Sequence, residues 1–376
     1  MTLVEQPQQT EADHNDQRRD ALVERLFGAG IGAGELATIY LGGKLGLYAT
    51  LRKLGPATAA ELAQTTGTHE RSTREWLEQQ AVAGILDVDE VSAPPAVRRY
   101  KLSDGYAEVL LDRDSLAYLG GLVQAMIGIL GHTPDLIDAF HTNGAVPYVS
   151  FGVDAREGQA SMNRAAFLNQ LAGEWLPQVP DVAARLEADP PARVADIGCG
   201  AGWSSIALAR AYPKVRVEGF DSDPASIELA RANAREAGVS DRVSFDVCDV
   251  SAASESPAPN DRYDLVLALE ALHDMGRPID ALSNMRTFVA EGGTILIMDE
   301  RVEEHFSAPG GEVERFFYLA SVLFCLPTGL ADSPSAGTGA VMRTNTLQAY
   351  ASAAGFGDLQ VLPIEHPFWR FYRLDI

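Results

Sequence analysis

From Arg193 onward, short apolar runs alternate with amphipathic stretches, and this alternation constrains the fold more than any other feature of the chain. The runs are RVADIGCG, VRVEGFDSD, RVSFDVCDV, YDLVLALEAL and GGTILIMDE, and the segments between most of them have helical apolar spacing. Buried strands that alternate with helices predict a parallel, Rossmann-like α/β sheet with helices on both faces. The last residues, DLQVLPIEHPFWRFYRLDI, hold two further strand-like runs around Pro363 and Pro367, which fit a closing antiparallel pair.

The first run ends in a glycine turn, Asp196-Ile-Gly198-Cys-Gly200-Ala-Gly202, that passes directly into the helical segment SSIALARAY. Glycines at such a turn let a ligand lie against bare backbone at the C-terminal edge of the sheet. A dinucleotide fingerprint would place its third glycine three residues after the second, and this chain does not. Asp196 at the strand end would also repel a pyrophosphate. Asp221, followed by Ser222, ends the second run 23 residues after Gly198, where a carboxylate can take both hydroxyls of a ribose. Asp249, followed by Val250, closes the third, where it can accept from an adenine amino group.

Upstream, Thr58 is placed to cap the helix AAELAQTTG, Gly67 to make a turn, and HERSTREWLEQQAVAGIL to form a second helix ending near Gly84. Two short strands around a Pro-rich loop follow, so residues 21–110 read as a winged helix. Residues 1–20 are polar, lack the layout of a secretory leader, and are expected to be a disordered tail. Residues 111–190 read as a helical linker and 191–376 as the α/β domain. The longest apolar run, Leu116–Leu130, contains Gly120, Gly121 and Gln124 and reads as a buried helix rather than a membrane span.

The turn and the two later acids resemble class I S-adenosylmethionine-dependent methyltransferases from about residue 193 to the end. By that resemblance Asp196, Gly198, Gly200 and Gly202 flank the methionine part of S-adenosylmethionine, Asp221 and Ser222 the ribose, and Asp249 and Val250 the adenine. The segment Leu272-His273-Asp274 resembles the Leu-His-Asp-Trp stretch of plant-type small-molecule O-methyltransferases, which also carry an N-terminal winged-helix dimerisation domain. This implies His273 as a general base, with Asp299 after the fifth strand fixing its tautomer. The sequence departs from that pattern at Met275, where a tryptophan is expected, at Leu269, where a lysine is expected, and at Met342, where a glutamate is expected. Met126 and Met162 in the linker and Phe316 and Phe317 in the insertion after the fifth strand are candidates to wall a small, mainly apolar acceptor. No metal ligand set is expected.

A winged helix also fits a DNA-binding regulator, and a glycine turn also fits a protein that holds S-adenosylmethionine without turnover. Charge opposes the first of these. The 376 residues hold 30 Lys plus Arg against 52 Asp plus Glu, a net charge of −22. Such acidity repels nucleic-acid phosphate and anionic lipid. Within residues 21–110 the bases number 9 and the acids 11, which leaves no positive face for phosphate contacts. The winged helix is therefore expected to form a homodimer. Three scattered cysteines fit a reduced, cytoplasmic protein.

Overall fold

The computed structural model describes residues 11–252 and 262–376. The chain divides into two units, Met1–Leu111 and Asp112–Ile376.

In the first unit a long helix, Glu11–Lys44, precedes three short ones, Leu47–Leu54, Ala59–Thr66 and Glu70–Val82. The helix Ala59–Thr66 starts as its sequence demands: Thr58 and Glu61 form a reciprocal capping box, with Thr58 N–H donating to Glu61 Oε2 at 2.8 Å. Gly67 ends it in the left-handed conformation at φ 70°. Strands β1 (Asp87–Val88) and β2 (Tyr100–Lys101) make the antiparallel wing. Leu47, Tyr48, Leu51, Leu62 and Leu77 fill the core, each at most 2% exposed. The helix begins earlier than the polar composition suggests, because residues 11–20, expected as part of a disordered tail, are helical. Arg19 pairs with Asp16 one turn away at 2.8 Å, a spacing that supports helix over coil. The rest of that expected tail, residues 1–10, lies outside the described residues.

The second unit is built on a seven-stranded sheet. Its strands are β3 (Arg193–Ile197), β4 (Arg216–Asp221), β5 (Val243–Val247), β6 (Tyr263–Leu269), β7 (Val289–Glu300), β8 (Gln360–Val361) and β9 (Trp369–Asp375). Their order is β5-β4-β3-β6-β7-β9-β8, with β9 antiparallel to both β7 and β8. β3 runs between β4 and β6, Val194 opposite both Val217 and Leu265, and Val194 and Ala195 are fully buried. A central strand covered on both faces is nearly continuous in apolar residues, which accounts for Val194, Ala195 and Ile197 in β3 and for LVLAL in β6.

The residues expected as a linker fold within this same unit. The helices Gly120–Leu130 and Gly152–Ala166 pack closely because glycines remove side chains from their contact. A Cβ at Gly128 would come within 2.9 Å of Asp154 backbone carbon, and one at Gly158 within 2.7 Å of Ala125 Cα. The apolar run Leu116–Leu130 becomes helical only from Gly120, and Leu116 and Leu119 are exposed. The substitution Gly158→Ala should therefore destabilise this unit by about 1–3 kcal/mol, since backbone rather than a flexible side chain must move. Thermal denaturation checks this, and an unchanged melting temperature would mean that the two helices separate freely.

Candidate active site

The β3–helix turn is positioned by its own glycines. Gly198, Gly200 and Gly202 have φ of 68°, 52° and 77°, a region costly for other residues. Two are also required by packing, since a Cβ at Gly198 would strike the Ala271 methyl and one at Gly202 the Phe245 ring and Ala230. At Gly200 a Cβ would meet nothing within 4 Å, so bare backbone there faces open space. That space is a cavity of about 520 Å³ at the carboxyl ends of β3, β4, β5 and β6.

Asp221 ends β4 beside this turn. Its Oδ2 accepts the Gly200 N–H at 2.8 Å and its Oδ1 the Asp223 N–H at 2.9 Å. Burial pushes its carboxyl up to about 6 in spite of these bonds, with the neighbouring Asp223 and Asp196 adding to the rise. Gly198, Gly200, Asp221, Ser222, Asp249 and Val250 all line the cavity. Asp249 is held there by Ser251, whose N–H and hydroxyl donate to Oδ1 at 2.9 and 2.6 Å, and by Arg277 at 3.1 Å.

Asp196 and Gly202, expected beside the ligand, lie behind the turn and not on the cavity wall. Asp196 is 1% exposed and its Oδ2 accepts both the Ser204 and Ser205 hydroxyls at 2.6 Å, so it ties the strand to the first turn of the next helix. Met126, Met162, Phe316 and Phe317 are likewise absent from the wall. Phe316 and Phe317 stack edge to face at 5.6 Å, and Phe317 is buried. Helical periodicity places such residues on a face but does not say which cavity that face meets.

The wall instead takes Tyr148, Arg156 and Gln159 from the segment 148–167, which sequence spacing did not single out, together with Asn163, the neighbour of the expected Met162. Arg156 is fixed by Asp223 at 2.7 Å, and Asp223 in turn caps the helix Pro224–Ala237. The Asp223-Pro224 helix start was the available signal for that anchor. Acids dominate the lining, with Asp221, Asp223, Asp249, Glu270, Asp274 and Asp332 against the single base Arg156.

After β6 the chain turns sharply. Glu270 has φ 53°, and no other described non-glycine residue has positive φ. Its N–H donates to Met298 O at 2.7 Å, keeping the strand register, while its Oε1 accepts the Trp369 indole N–H. Burial pushes its carboxyl up to about 7. Glu270 is among the residues that line the cavity, with its Oε2 buried and without a hydrogen-bond partner.

His273, the expected base, sits one turn deeper, 3% exposed and off the cavity wall. Its Nδ1 donates to Asp299 Oδ1 at 2.9 Å and lies 3.4 Å from Glu300 Oε2, while Nε2 is 3.2 Å from Asp274 Oδ1. Burial alone would lower its pKa, but Glu300, Asp299 and Asp274 together hold it well above the usual histidine range. The three carboxylates thus favour the protonated ring. The expected pairing with Asp299 is present, and the ring is not among the residues that line the cavity.

Residues 188–320 match the model of a methyltransferase domain, and residues 35–112 that of an Rv2258c-like winged HTH domain. The chain is 28% identical over 275 residues to acetylserotonin O-methyltransferase of Mus musculus molossinus, covering 69% of this chain and 66% of that protein. The first curated relatives match more narrowly, the chain spanning 31% to 43% of their length. Among solved structures, the mitomycin 7-O-methyltransferase MmcR superposes with a TM-score of 0.69 at 21% identity, covering 96% of this chain and 99% of that one. Human N-acetylserotonin methyltransferase in complex with SAM superposes at 0.63 and 19% identity, covering 98% and 99%. With the glycine turn, the strand-end acids and the sheet order in agreement, residues 188–320 are a methyltransferase domain on a Rossmann-like sheet, in a chain whose residues 35–112 form a winged helix-turn-helix domain.

Proposed function

We propose that this chain transfers a methyl group from S-adenosylmethionine to an oxygen of a small, mainly apolar acceptor. The observation that carries this reading is the bare backbone of Gly200 beside the Asp221 carboxylate, both on one cavity of a methyltransferase domain. The lining also fits the group electrostatically: its excess of carboxylates favours a sulfonium and an ammonium and repels a pyrophosphate. When bound, S-adenosylmethionine supplies an electrophilic methyl carbon and leaves as a neutral thioether. Oxygen as the acceptor atom is supported by the O-methyltransferases among the relatives and structural neighbours.

The protein's own contribution is to hold and to deprotonate. Asp221 takes the ribose hydroxyls, Asp249 and Val250 border the adenine, and the Gly198–Gly202 turn gives room for the methionine part. On the acceptor side the cavity-lining Glu270 accepts the hydroxyl proton, because its carboxyl ionises near neutrality and its Oε2 has no hydrogen-bond partner. His273 and Asp299 lie behind it as a buried charged pair that fixes the loop Leu272–Asp274.

We also propose that the chain is a cytoplasmic homodimer, joined through the N-terminal unit. The exposed Leu22, Val23, Leu26, Phe27 and Ile31 on the helix Glu11–Lys44 give that unit an apolar face. On the helix Glu70–Val82 the arginines Arg71 and Arg74 pair with Glu75 and Glu70 of the same helix, which supports dimerisation over phosphate binding. No helix among the described residues is long and apolar enough to cross a membrane.

Calorimetry with S-adenosylhomocysteine should show binding at neutral pH, weakened at least about tenfold in Asp221→Ala. Affinity should also fall as pH drops below about 6, where the Asp221 carboxyl takes up a proton and loses an acceptor. An Asp221→Ala variant of unchanged affinity would remove the ribose assignment. Turnover of the wild type should rise with pH through about 7, and Glu270→Gln should cut it roughly 10²–10⁴-fold and flatten that limb while leaving S-adenosylhomocysteine affinity intact. A Glu270→Gln enzyme with the parental profile would return the proton to another group. Sedimentation should give twice the chain mass, and Leu26→Glu with Phe27→Glu should yield monomers; dimers that persist would move the interface elsewhere.

A further inference from the structure

We propose that Trp369 is the positioning residue of the carboxyl that takes the acceptor's proton, and that it decides which oxygen of Glu270 is protonated. The inference rests on the proposed role of Glu270 and extends it to a residue 99 positions further along the chain.

The two residues belong to strands that are not neighbours. Glu270 follows β6, Trp369 opens β9, and β7 runs between them. Two strand spacings amount to about 9–10 Å, so only long side chains can meet across the end of β7. They do meet, and the indole N–H of Trp369 donates to Glu270 Oε1. On one side the contact is prepared by the left-handed Glu270, whose own N–H remains on Met298 O of β7 at 2.7 Å. On the other it is prepared by the β7–β9 register, which sets Trp369 opposite Glu300.

Two rings hold the indole. His366 stacks on it with centroids 4.3 Å apart and planes 8° apart, and Trp175 meets it edge-on at 5.5 Å. His366 is fixed in turn, because its Nδ1 accepts the Phe368 and Trp369 amides at 3.3 and 3.2 Å and its carbonyl accepts from Arg301 at 2.8 Å. A buried ring packed in this way has little freedom, and the carboxyl it holds shares that restriction.

The chemistry of the donor carries the argument. An indole N–H donates and never accepts. The carboxyl oxygen that receives it is the poorer site for a proton, so the acid form of Glu270 takes its proton on Oε2, which has no hydrogen-bond partner among the described residues. On transfer the acceptor's O–H bond breaks, its electron pair stays on the acceptor oxygen, and the proton binds Oε2. The indole also carries no charge. A lysine or arginine in its place would hold the carboxylate ionised well below neutrality and weaken it as a base, whereas a neutral donor only partly offsets the burial that raises this group to about 7. Of the other groups around the carboxyl, His273 and Asn163 favour the anion, and Asp299 and Glu300 oppose it.

The test needs no acceptor. The full chain is labelled with carbon-13 in its glutamate carboxyls, and the Glu270 resonance, assigned by its loss in Glu270→Gln, is followed against pH. Ultraviolet resonance Raman spectra follow the indole N–H band on the same samples. Expected is a transition near pH 7 in both signals, with the Raman change absent from Glu270→Gln. In Trp369→Phe, which keeps a ring against His366 and Trp175, the carboxyl midpoint should rise by roughly 1–2 pH units, because the anion loses a hydrogen bond. An unchanged midpoint in that variant overturns the proposal, since a merely structural tryptophan would not set it. An indole band that ignores the titration of Glu270 overturns it too. So does a band that moves only below about pH 6.5, which would report the stacked His366, whose pKa burial and Arg301 lower against the pull of Glu174. If circular dichroism shows Trp369→Phe unfolded, the Raman comparison of wild type with Glu270→Gln decides alone. Turnover of Glu270→Gln reports the base assignment separately, so failure of that reading is distinguishable from failure of this one.

Discussion

The position of β3 between β4 and β6 is the constraint on which the second unit depends. From β3 the chain must leave in one direction to form β4 and β5 and return on the other side to form β6 and β7. The connections therefore diverge at the carboxyl end of β3 and open a crevice that no strand can fill. The glycine turn occupies that point because its conformation, its approach to Ala271 and its approach to Phe245 each exclude a side chain. Asp221 then joins this turn to the loop after β4 through the Gly200 and Asp223 amides. Its carboxylate is both a clasp for the loop and the group that faces the cavity.

Acids gather where these strands end: Asp196 lies in β3, Asp221 ends β4, Glu270 follows β6, and Asp299 and Glu300 close β7, and for Asp196, Asp221, Glu270 and Glu300 burial raises the carboxyl. What distinguishes them is their partners. Asp196 spends its charge on two hydroxyls and closes a helix, whereas Glu270 and Glu300 retain unpartnered oxygens. Buried carboxyls without partners are unstable unless protons or cations compensate them. The chemistry of the site follows from that imbalance more than from any single catalytic side chain.

The strand-and-helix alternation was legible because both periods are strong, and β3 to β7 form where the apolar runs lie. The closing antiparallel pair was legible from its flanking prolines. Asp221 and Asp249 could be placed from their strand ends alone, since the topology carries those positions to one edge. Depth could not be read. Whether Asp196 or His273 points into the crevice or away from it depends on one half-turn of backbone, and the left-handed Glu270 supplies such a turn without a glycine to announce it. The wall residues of 148–167 and the non-lining Phe316 and Phe317 failed for another reason: Arg156 and Gln159 are polar residues that apolar spacing does not select, and the spacing of Phe316 and Phe317 gives a helix face without saying what that face meets.

The helix Gly152–Ala166 supplies Arg156, Gln159, Ala160 and Asn163 to the cavity and, through Gly158, meets the backbone of its neighbour Gly120–Leu130. Backbone in contact with backbone has no side-chain rotamers with which to yield. This side of the cavity is therefore a fixed template. A ligand too broad for it gains nothing by pressing on the helix, and discrimination by size against this wall requires neither a dedicated gatekeeping side chain nor a conformational change.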